Sequence, residues 1–318
     1  MTEPLFTPLA YGAANVGNLY RALTDAQADA ALNAAWDAGI RYFDTAPHYG
    51  LGLSERRLGA FLATKPRGEY TISTKVGRLL RPNPGGSGTL DTENDFAVPA
   101  DLRRIWDFSA DGIRRSLDES LQRLGLDRVD VLYLHDPERY DLEPALASGV
   151  PALIRLREEG LVSAVGLGSM SSDALLAGAR FGGLDLLMIA GRFTLADPSA
   201  LSEVIPEARR RGMSVVTAAV FNSGLLARGV PAEDARYDYG PVPADVLARV
   251  RAIAGVCADF QVELPTAALQ YTLRESSVRS VVVGGSTPAQ IRQNARRMRE
   301  AVPEALWSTL ASEGLIPA

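Results

Sequence analysis

The chain has 318 residues, of which 47% are hydrophobic and 22% charged, and its formal net charge is −5. This composition is typical of a globular protein long enough to bury a large core. The acidic balance gives no electrostatic reason to expect nucleic acid as a partner, and no run approaches the ~18 apolar residues of a membrane span.

Cys257 is the only cysteine, so neither an internal disulfide nor a cysteine-based metal site is expected. Its apolar surroundings predict a buried structural residue. The opening residues MTEPLFTPLAYG lack the basic start and apolar core of a signal peptide. We therefore expect a cytoplasmic protein without a bound metal, acting as a monomer or weak homo-oligomer.

Short runs rich in β-branched and aromatic residues alternate with segments of helical period. The predicted strands are PLAYG (8–12), IRYF (40–43), YTIST (70–74), VDVLYL (129–134), VSAVGL (162–167), LDLLMI (184–189), MSVVTAA (213–219) and VRSVVV (278–283). Several lack polar alternation, as parallel strands buried on both faces do. This pattern favours a parallel sheet.

The segments between these runs carry helix signals, including a predicted helix over 197–212. The predicted caps are Thr24, Ser109 and Thr287 at N-termini, and Gly39, Gly125 and Gly212 at C-termini. Eight strand-like runs with helices between them predict an α/β fold, a single (β/α)8 TIM barrel domain over residues 1–318. The alternative, a doubly wound sheet, needs a Gly-rich fingerprint that YGAANVGNLY lacks.

One segment does not fit an ideal barrel. Residues 77–108 form a long connection after the third strand, rich in Pro, Gly and Asp and ending near Trp106. Connections of this length are usually functional or disordered. We expect either a lid over the barrel mouth or a mobile insertion without a role.

Polar residues follow three neighbouring strands at the end where barrel enzymes carry their chemistry. Asp44 and Tyr49 follow the second strand, Lys75 ends the third, and His135 and Asp136 end the fourth. Each alone has an ordinary structural explanation. Together they point into one mouth, which predicts an active site there.

The chemistry of these groups fits together. An ammonium beside a phenol favours the phenolate, so Lys75 would lower the pKa of Tyr49. A buried lysine needs an anion, which Asp44 can supply. Tyr49 could then exchange a proton with an alcohol or carbonyl near neutral pH, while His135 orients the substrate oxygen. This set suits alcohol–carbonyl interconversion.

A glycoside hydrolase is the alternative from another class, since it needs two carboxyl groups flanking the scissile bond. Asp44 and Asp136 would have to serve. Lys75 beside Asp44 would depress the pKa of that carboxyl, which is the wrong direction for a general acid.

The motifs GIRYFDTAPHYGLGLSERRLGAFL (39–62), STKVGRLL (73–80), VDVLYLHD (129–136), AVGLGSM (164–170) and VVGGSTPAQIRQNARRM (282–298) resemble the aldo-keto reductase family. The resemblance spans residues 9 to 310, and D-x-x-x-x-Y followed by the strand-end Lys and His is its specific part. It implies a barrel that binds NAD(P) across its C-terminal face. The family's catalytic tetrad falls on Asp44, Tyr49, Lys75 and His135, with Tyr49 as general acid/base.

The resemblance also implies the cofactor contacts. Phe193 would stack on the nicotinamide and Ser169 would meet its carboxamide, although relatives often have Asn near Ser169 and Gln at the position of Ala190. The pyrophosphate would lie along 220–226 and the adenosine end along 284–294. The expected contacts there are Phe221, Asn222, Ser223, Gly224, Leu225, Gly284, Gly285, Ser286, Thr287, Gln290, Gln293 and Asn294.

NADP-preferring relatives carry a Lys or Arg in the stretch 284–294 that holds the 2′-phosphate. This chain has Gly284, Ser286 and Gln290 at the candidate positions, and Arg292 is expected to face away. A phosphate dianion without a cation is poorly held. We therefore expect NAD to be favoured over NADP.

Within the family, the motifs resemble the branch that oxidises aldoses at the anomeric carbon to lactones. L-fucose, L-galactose and D-arabinose are the expected substrates, with His48, Asp136, Arg192 and Trp106 as candidate substrate contacts. The alternatives are a pyridoxal 4-dehydrogenase or a general aldehyde or ketone reductase. A nucleotide-sensing regulatory subunit has less support, because all four tetrad residues are present.

Overall fold

The computed structural model describes residues 4–238 and 240–317. Its strands are β1 (Leu9–Gly12), β2 (Tyr42–Asp44), β3 (Thr71–Val76), β4 (Arg78–Pro82), β5 (Leu102–Trp106), β6 (Val131–His135), β7 (Ala164–Ser169), β8 (Leu186–Ala190), β9 (Ser214–Ala218), β10 (Arg236–Tyr237), β11 (Gly240–Pro241) and β12 (Val278–Gly284). Eight of them close into a parallel barrel in the order β1-β12-β9-β8-β7-β6-β3-β2. The predicted TIM barrel is therefore confirmed, and every predicted run supplies one barrel strand.

Helices connect the barrel strands and pack on the outer face of the barrel through a large apolar cluster. They are α1 (Asp25–Asp37), α2 (Leu53–Leu62), α3 (Ala110–Leu124), α4 (Leu142–Glu158), α5 (Ser172–Phe181), α6 (Val204–Arg210), α7 (Ala244–Asp259), α8 (Leu264–Tyr271), α9 (Pro288–Arg297) and α10 (Glu304–Ser312). Cys257 is buried on α7, as expected.

The predicted N-caps are confirmed. The side chain of Thr24 accepts from the Gln27 amide in a full capping box, and the side chains of Ser109 and Thr287 accept from the amides of Gly112 and Gln290 at the starts of α3 and α9. The helix predicted over 197–212 is wrong in length, since α6 begins only at Val204. Asp197 turns the preceding chain instead, because its carboxylate accepts from the Ser199 amide at 3.0 Å.

The inside of the barrel is filled by a second cluster that includes Tyr42, Tyr133, Met188 and Val216. The Tyr42 hydroxyl bonds to Ser73 Oγ (3.0 Å) and to the Tyr133 hydroxyl (3.2 Å), which satisfies these polar groups in the interior. Because the interior is packed, side chains at the carboxyl ends of the strands line the mouth.

The long connection over 77–108 is a folded element, so the expectation of a mobile insertion is wrong. Strand β4 pairs antiparallel with β5, from Arg78 opposite Trp106 to Pro82 opposite Leu102. At the end of this hairpin, Phe96 and Val98 are buried with Leu51 of the loop after β2. Charged residues in both strands obscure the apolar pattern by which a strand is recognised in the sequence. The buried apolar residues hold the hairpin over the mouth.

Within the described residues, no single helix is long and apolar enough to cross a membrane. Helix α7 together with Leu264–Arg274 passes the test of length and composition, but only as a pair bent by 104°.

Candidate active site

Lys75 and Asp44 form an ion pair at the ends of β3 and β2. Lys75 Nζ donates to Asp44 Oδ2 at 2.6 Å and to the carbonyl oxygen of Thr45 at 2.9 Å. The other carboxylate oxygen accepts from Ser73 Oγ at 2.7 Å. Both side chains are almost fully buried, so the pair is fixed in place before any ligand binds.

Tyr49 lies on the loop after β2, and Lys75 Nζ is 4.8 Å from the centre of its ring. Burial opposes the charged form of Lys75, but the charge of Asp44 and the charge and hydrogen bond of Tyr49 outweigh it, so that the pKa of Lys75 is raised. The ammonium therefore stays beside the phenol throughout the neutral range, where it favours the phenolate.

Two glycines hold the Tyr49 loop against the loop after β1. Gly50 has φ +61°, and a Cβ there would lie 2.1 Å from the carbonyl oxygen of Gly17. A Cβ on Gly17 would lie 2.9 Å from the Tyr49 backbone. This approach fixes the backbone on both sides of Tyr49.

His135, at the end of β6, completes the predicted tetrad, and its ring centre is 6.1 Å from that of Tyr49. The pKa of His135 is lowered well below its usual value by burial and then by the charges of Arg78 and Lys75. His135 is therefore neutral near pH 7 and can act as a hydrogen-bonding group towards a substrate oxygen.

His48 lies beside the tetrad, with its ring centre 5.9 Å from that of His135 and 6.0 Å from that of Tyr49. Burial and nearby arginines lower its pKa as well. Its Nδ1 is buried without a hydrogen-bond partner in the part of the chain that the structure describes. Contact between His48 and the substrate stays a prediction.

A groove leads from the tetrad across the C-terminal face of the barrel. The tetrad lines a cavity of about 210 Å³ with Ser169, Asp136 and Gly284. Next come a cavity of about 310 Å³ along the loop after β9 and one of about 690 Å³ at the start of α9. Asn15, Leu19 and Gly284 line all three, so the cavities adjoin one another.

Most of the predicted cofactor residues line this groove. Those on its walls are Ser169, Phe221, Asn222, Ser223, Gly224, Leu225, Gly284, Gly285, Ser286, Gln290, Gln293 and Asn294. Thr287 caps α9 instead of lining the cavity. The groove has the extended shape that a dinucleotide needs.

The structure contradicts the predicted position of Phe193 at the nicotinamide. Its ring is 2% exposed and packs against Tyr271 of α8, with ring centres 5.6 Å apart, so it belongs to the outer core and not to the groove. Beside the tetrad, the cavity wall consists of the small residues Ala190, Ala218 and Ala219. An aromatic ring gains more from burial against α8 than from exposure at the groove.

Two predicted substrate residues also lie elsewhere. Arg192 binds the carboxylates of Asp197 and Asp238 and the carbonyl oxygen of Met170, so it serves as a loop clamp. Trp106 lies under the guanidinium of Arg78, 4.2 Å from its carbon, as part of the supporting layer. Asp136, in contrast, lines the tetrad cavity, and its contact with the substrate stays a prediction.

Sequence reasoning missed Glu138. Its Oε1 accepts from Ser169 Oγ at 2.7 Å, and Ser169 Oγ in turn accepts from the Ser171 amide. Burial raises the pKa of Glu138, and its Oε2 is buried without a partner among the residues described. No motif marks this residue, since it follows the strand end by three positions.

Sequence reasoning also missed Arg21 and Arg78. Arg21 Nη2 donates to Ser286 Oγ at 2.8 Å, across 265 positions of the chain, and lines the cavity at α9. Arg78 Nη2 donates to Asp136 Oδ2 at 2.7 Å. Such contacts depend on the closed barrel and have no local signal. The described residues contain no group of three or more His, Cys, Asp or Glu side chains placed to hold a metal.

The chain belongs to the aldo/keto reductase family, whose model matches residues 8–312, and it is an oxidoreductase of that family. It is 59% identical to D-threo-aldose 1-dehydrogenase of a Pseudomonas species over 97% of this chain and 94% of that protein. It is 39% identical to pyridoxal 4-dehydrogenase of Microbacterium luteolum, over 98% and 94%. The glycerol dehydrogenase of Gluconobacter oxydans shares the fold, with a TM-score of 0.75, 20% identity and coverage of 98% and 94%.

Proposed function

We propose that the protein oxidises an aldose, such as L-fucose, L-galactose or D-arabinose, at the anomeric carbon to the lactone, with Tyr49 as general acid/base. The observation that carries this proposal is the assembled tetrad at one end of a dinucleotide-sized groove. The similarity to a D-threo-aldose 1-dehydrogenase supports the sugar as substrate class. We further expect the chain to act in the cytoplasm as a monomer or weak homo-oligomer.

Two polar groups in the groove support binding of a nicotinamide dinucleotide. Asn222 lines its middle at 2% exposure, yet its Oδ1 has no hydrogen-bond partner among the residues described. Ser169 Oγ, fixed as a donor to Glu138, keeps a lone pair that can accept from a carboxamide N–H. Bound NAD(P) would supply the acceptor for the hydride.

The chain's own residues handle the proton. The Tyr49 phenolate, favoured by Lys75, takes the proton of the anomeric hydroxyl, and neutral His135 holds the same oxygen by a hydrogen bond. The bond between the anomeric carbon and hydrogen breaks as a hydride leaves, and the carbonyl of the lactone forms. Asp44 keeps Lys75 charged through the 2.6 Å contact.

Arg21 bears on the choice between the two cofactors. The expected preference for NAD rested on residues 284–294, which contribute no cation to the cavity wall. Arg21 supplies one from the loop after β1, at the Ser286 hydroxyl. A charge-assisted hydrogen bond to a 2′-phosphate is available there, and we propose that the enzyme accepts NADP as well as NAD.

Pyridoxal is the second candidate substrate, favoured by the similarity to pyridoxal 4-dehydrogenase. The same tetrad would remove a proton and a hydride from the hemiacetal of pyridoxal. The glycoside hydrolase alternative gains nothing from the structure, because the Asp44 carboxylate is held by the Lys75 ammonium.

The test follows reduced nicotinamide by absorbance, with NAD or NADP and each of L-fucose, L-galactose, D-arabinose and pyridoxal. Tyr49→Phe should lower turnover by about 10²–10⁴-fold and leave the cofactor dissociation constant within about twofold of the wild-type value, because cofactor contacts lie elsewhere. Tyr140→Phe is the matched control, since Tyr140 is 57% exposed outside the tetrad.

More than a tenth of wild-type turnover in Tyr49→Phe would overturn the acid/base role. Turnover of pyridoxal alone would keep that role and change the substrate. Tight cofactor binding without turnover of any of the four compounds would contradict sugar oxidation.

A further inference from the structure

Arg78 is a buried arginine beside the tetrad that the proposed reaction does not yet use. It begins β4, directly after Gly77, and its side chain is 4% exposed. Nη2 donates to Asp136 Oδ2 at 2.7 Å, and the guanidinium carbon lies 4.2 Å from the centre of the Trp106 ring. Removing an arginine charge from water costs free energy, so the burial of Arg78 needs an explanation.

Asp136 stands between two groups that can pair with its charge. Its Oδ2 is 2.7 Å from Arg78 Nη2 but 3.5 Å from His135 Nε2, which is beyond the usual hydrogen-bond range. The backbone fixes the carboxylate, because Asp136 adopts φ +44° and its amide donates to the carbonyl oxygen of Gly168 at 2.9 Å. The geometry therefore assigns the carboxylate to Arg78.

A carboxylate beside an imidazole normally favours the imidazolium. Here that attraction is offset, because the Arg78 guanidinium pairs with Asp136 and its charge lowers the pKa of His135. The charged and titratable groups that face His135 are Lys75, Tyr49, Arg78, Asp136, Arg139 and His48. The cations among them outnumber the single paired carboxylate.

We propose that Arg78 is a positioning residue for the reaction: by binding Asp136 it withholds that carboxylate from His135 and keeps the imidazole neutral. The inference rests on the proposed function for its consequence. Hydride departure leaves the anomeric carbon electron-poor, and an imidazolium on the oxygen of that carbon would oppose this step. A neutral His135 thus eases the departure of the hydride from that carbon.

The two histidines of the chain make a direct test possible by NMR titration of the protein without ligand. His48→Asn assigns the two imidazole signals. In the wild type, both should stay neutral down to below pH 6.5, the ordinary histidine value. In Arg78→Met, Asp136 becomes free to pair with His135, and the pKa of His135 should rise by about 1–3 units.

The double variant Arg78→Met/Asp136→Asn removes the carboxylate as well and should return His135 to wild-type titration. Arg78→Lys, which keeps the charge, should retain most of the wild-type behaviour. Arg78→Gln keeps a hydrogen bond to Asp136 without the charge, and should raise the pKa of His135 by less than Arg78→Met does. Arg78→Gln replaces Arg78→Met in the titration if Arg78→Met does not fold.

Activity gives a second readout. The kcat/KM profile for sugar oxidation should gain an acid limb near neutral pH in Arg78→Met, and that limb should disappear in the double variant. If His135 titrates in both uncharged Arg78 variants as it does in the wild type, Arg78 is only a support for the hairpin and the proposal fails. Because the titration needs no substrate, a wild type that turns over none of the sugars would instead overturn the proposed function.

Discussion

Replacing Asp44 with Asn removes one charge of the buried pair while keeping the shape of the side chain. Lys75 would then remain 2% exposed, with the Thr45 carbonyl oxygen and the Tyr49 hydroxyl as partners. Leaving a buried charge without its counter-ion typically costs about 3–5 kcal/mol. We expect the free energy of unfolding to fall by that amount.

The expected change in melting temperature follows from the size of the chain. At about 2.1 cal/mol/K per residue, the 318 residues give an unfolding entropy of roughly 0.7 kcal/mol/K. The loss therefore corresponds to a melting temperature lower by about 4–7 °C. Differential scanning calorimetry measures this directly, and turnover should fall with it because the phenolate loses its support.

The contribution of the pair should not depend on pH over the neutral range. The pKa of Lys75 is raised in the folded protein, so its contribution is fully present below the unfolded value of 10.5 and is lost only as pH rises through the folded value. The difference in melting temperature should accordingly be the same at pH 7 and pH 9.

Two further variants make this reasoning refutable. Asp44→Asn/Lys75→Met removes both charges and should recover most of the stability while staying inactive. Glu304→Gln breaks a pair of the same 2.6 Å length to Arg274, but its side chains are 71% and 40% exposed, so no measurable shift is expected. If Asp44→Asn had the same melting temperature as the wild type, Asp44 and Lys75 would not both be charged in the folded protein.

Three further changes test other parts of the structure. Arg21→Ala should weaken binding of NADP by about 10- to 100-fold and leave NAD unchanged in calorimetric titrations. Arg292→Ala, on α9 but away from the cavity that Arg21 lines, should change neither, and equal weakening of both cofactors by Arg21→Ala would refute the phosphate role. Gly50→Ala, with φ +61° and a backbone oxygen 2.1 Å from the new Cβ, should lower both melting temperature and turnover, and normal activity would contradict the backbone support of the tyrosine loop. Gly255→Ala, in an exposed helix position with no atom within 4 Å of the new Cβ, should raise the free energy of unfolding by about 0.5–1 kcal/mol. Gly59→Ala, whose new Cβ would lie 2.2 Å from a carbonyl oxygen, should lower it. Thermal unfolding that found Gly59→Ala more stable than Gly255→Ala would contradict both predictions.

Asp44, Lys75 and His135 could be predicted from the sequence because each ends a recognisable apolar strand. In a parallel barrel, all strand ends of one kind meet at one face, so local reading of three strands gave one site. Thr24, Ser109 and Thr287 were predictable for a similar reason, since a cap acts within one helical turn.

Phe193 could not be placed in this way, because a loop residue has no periodicity to fix the side of the chain on which its ring lies. Arg21 meets Ser286 across 265 positions, and Arg78 meets Asp136 across 58. Those contacts follow from barrel closure and from the β4–β5 hairpin, and a single sequence carries no local signal for either.

The β4–β5 hairpin covers the barrel mouth and also supports the loop that carries His48 and Tyr49. Enzyme engineers usually treat these two roles as separate modules. Arg104 of β5 binds both carboxylate oxygens of Asp91 and also donates to the backbone carbonyl of His48 at 2.7 Å. Exchanging residues 77–108 for the segment of another enzyme would therefore disturb the loop that carries Tyr49 along with the hairpin over the mouth. Redesign of substrate range has more freedom at the exposed residues 87–90, where the chain can vary without moving Tyr49.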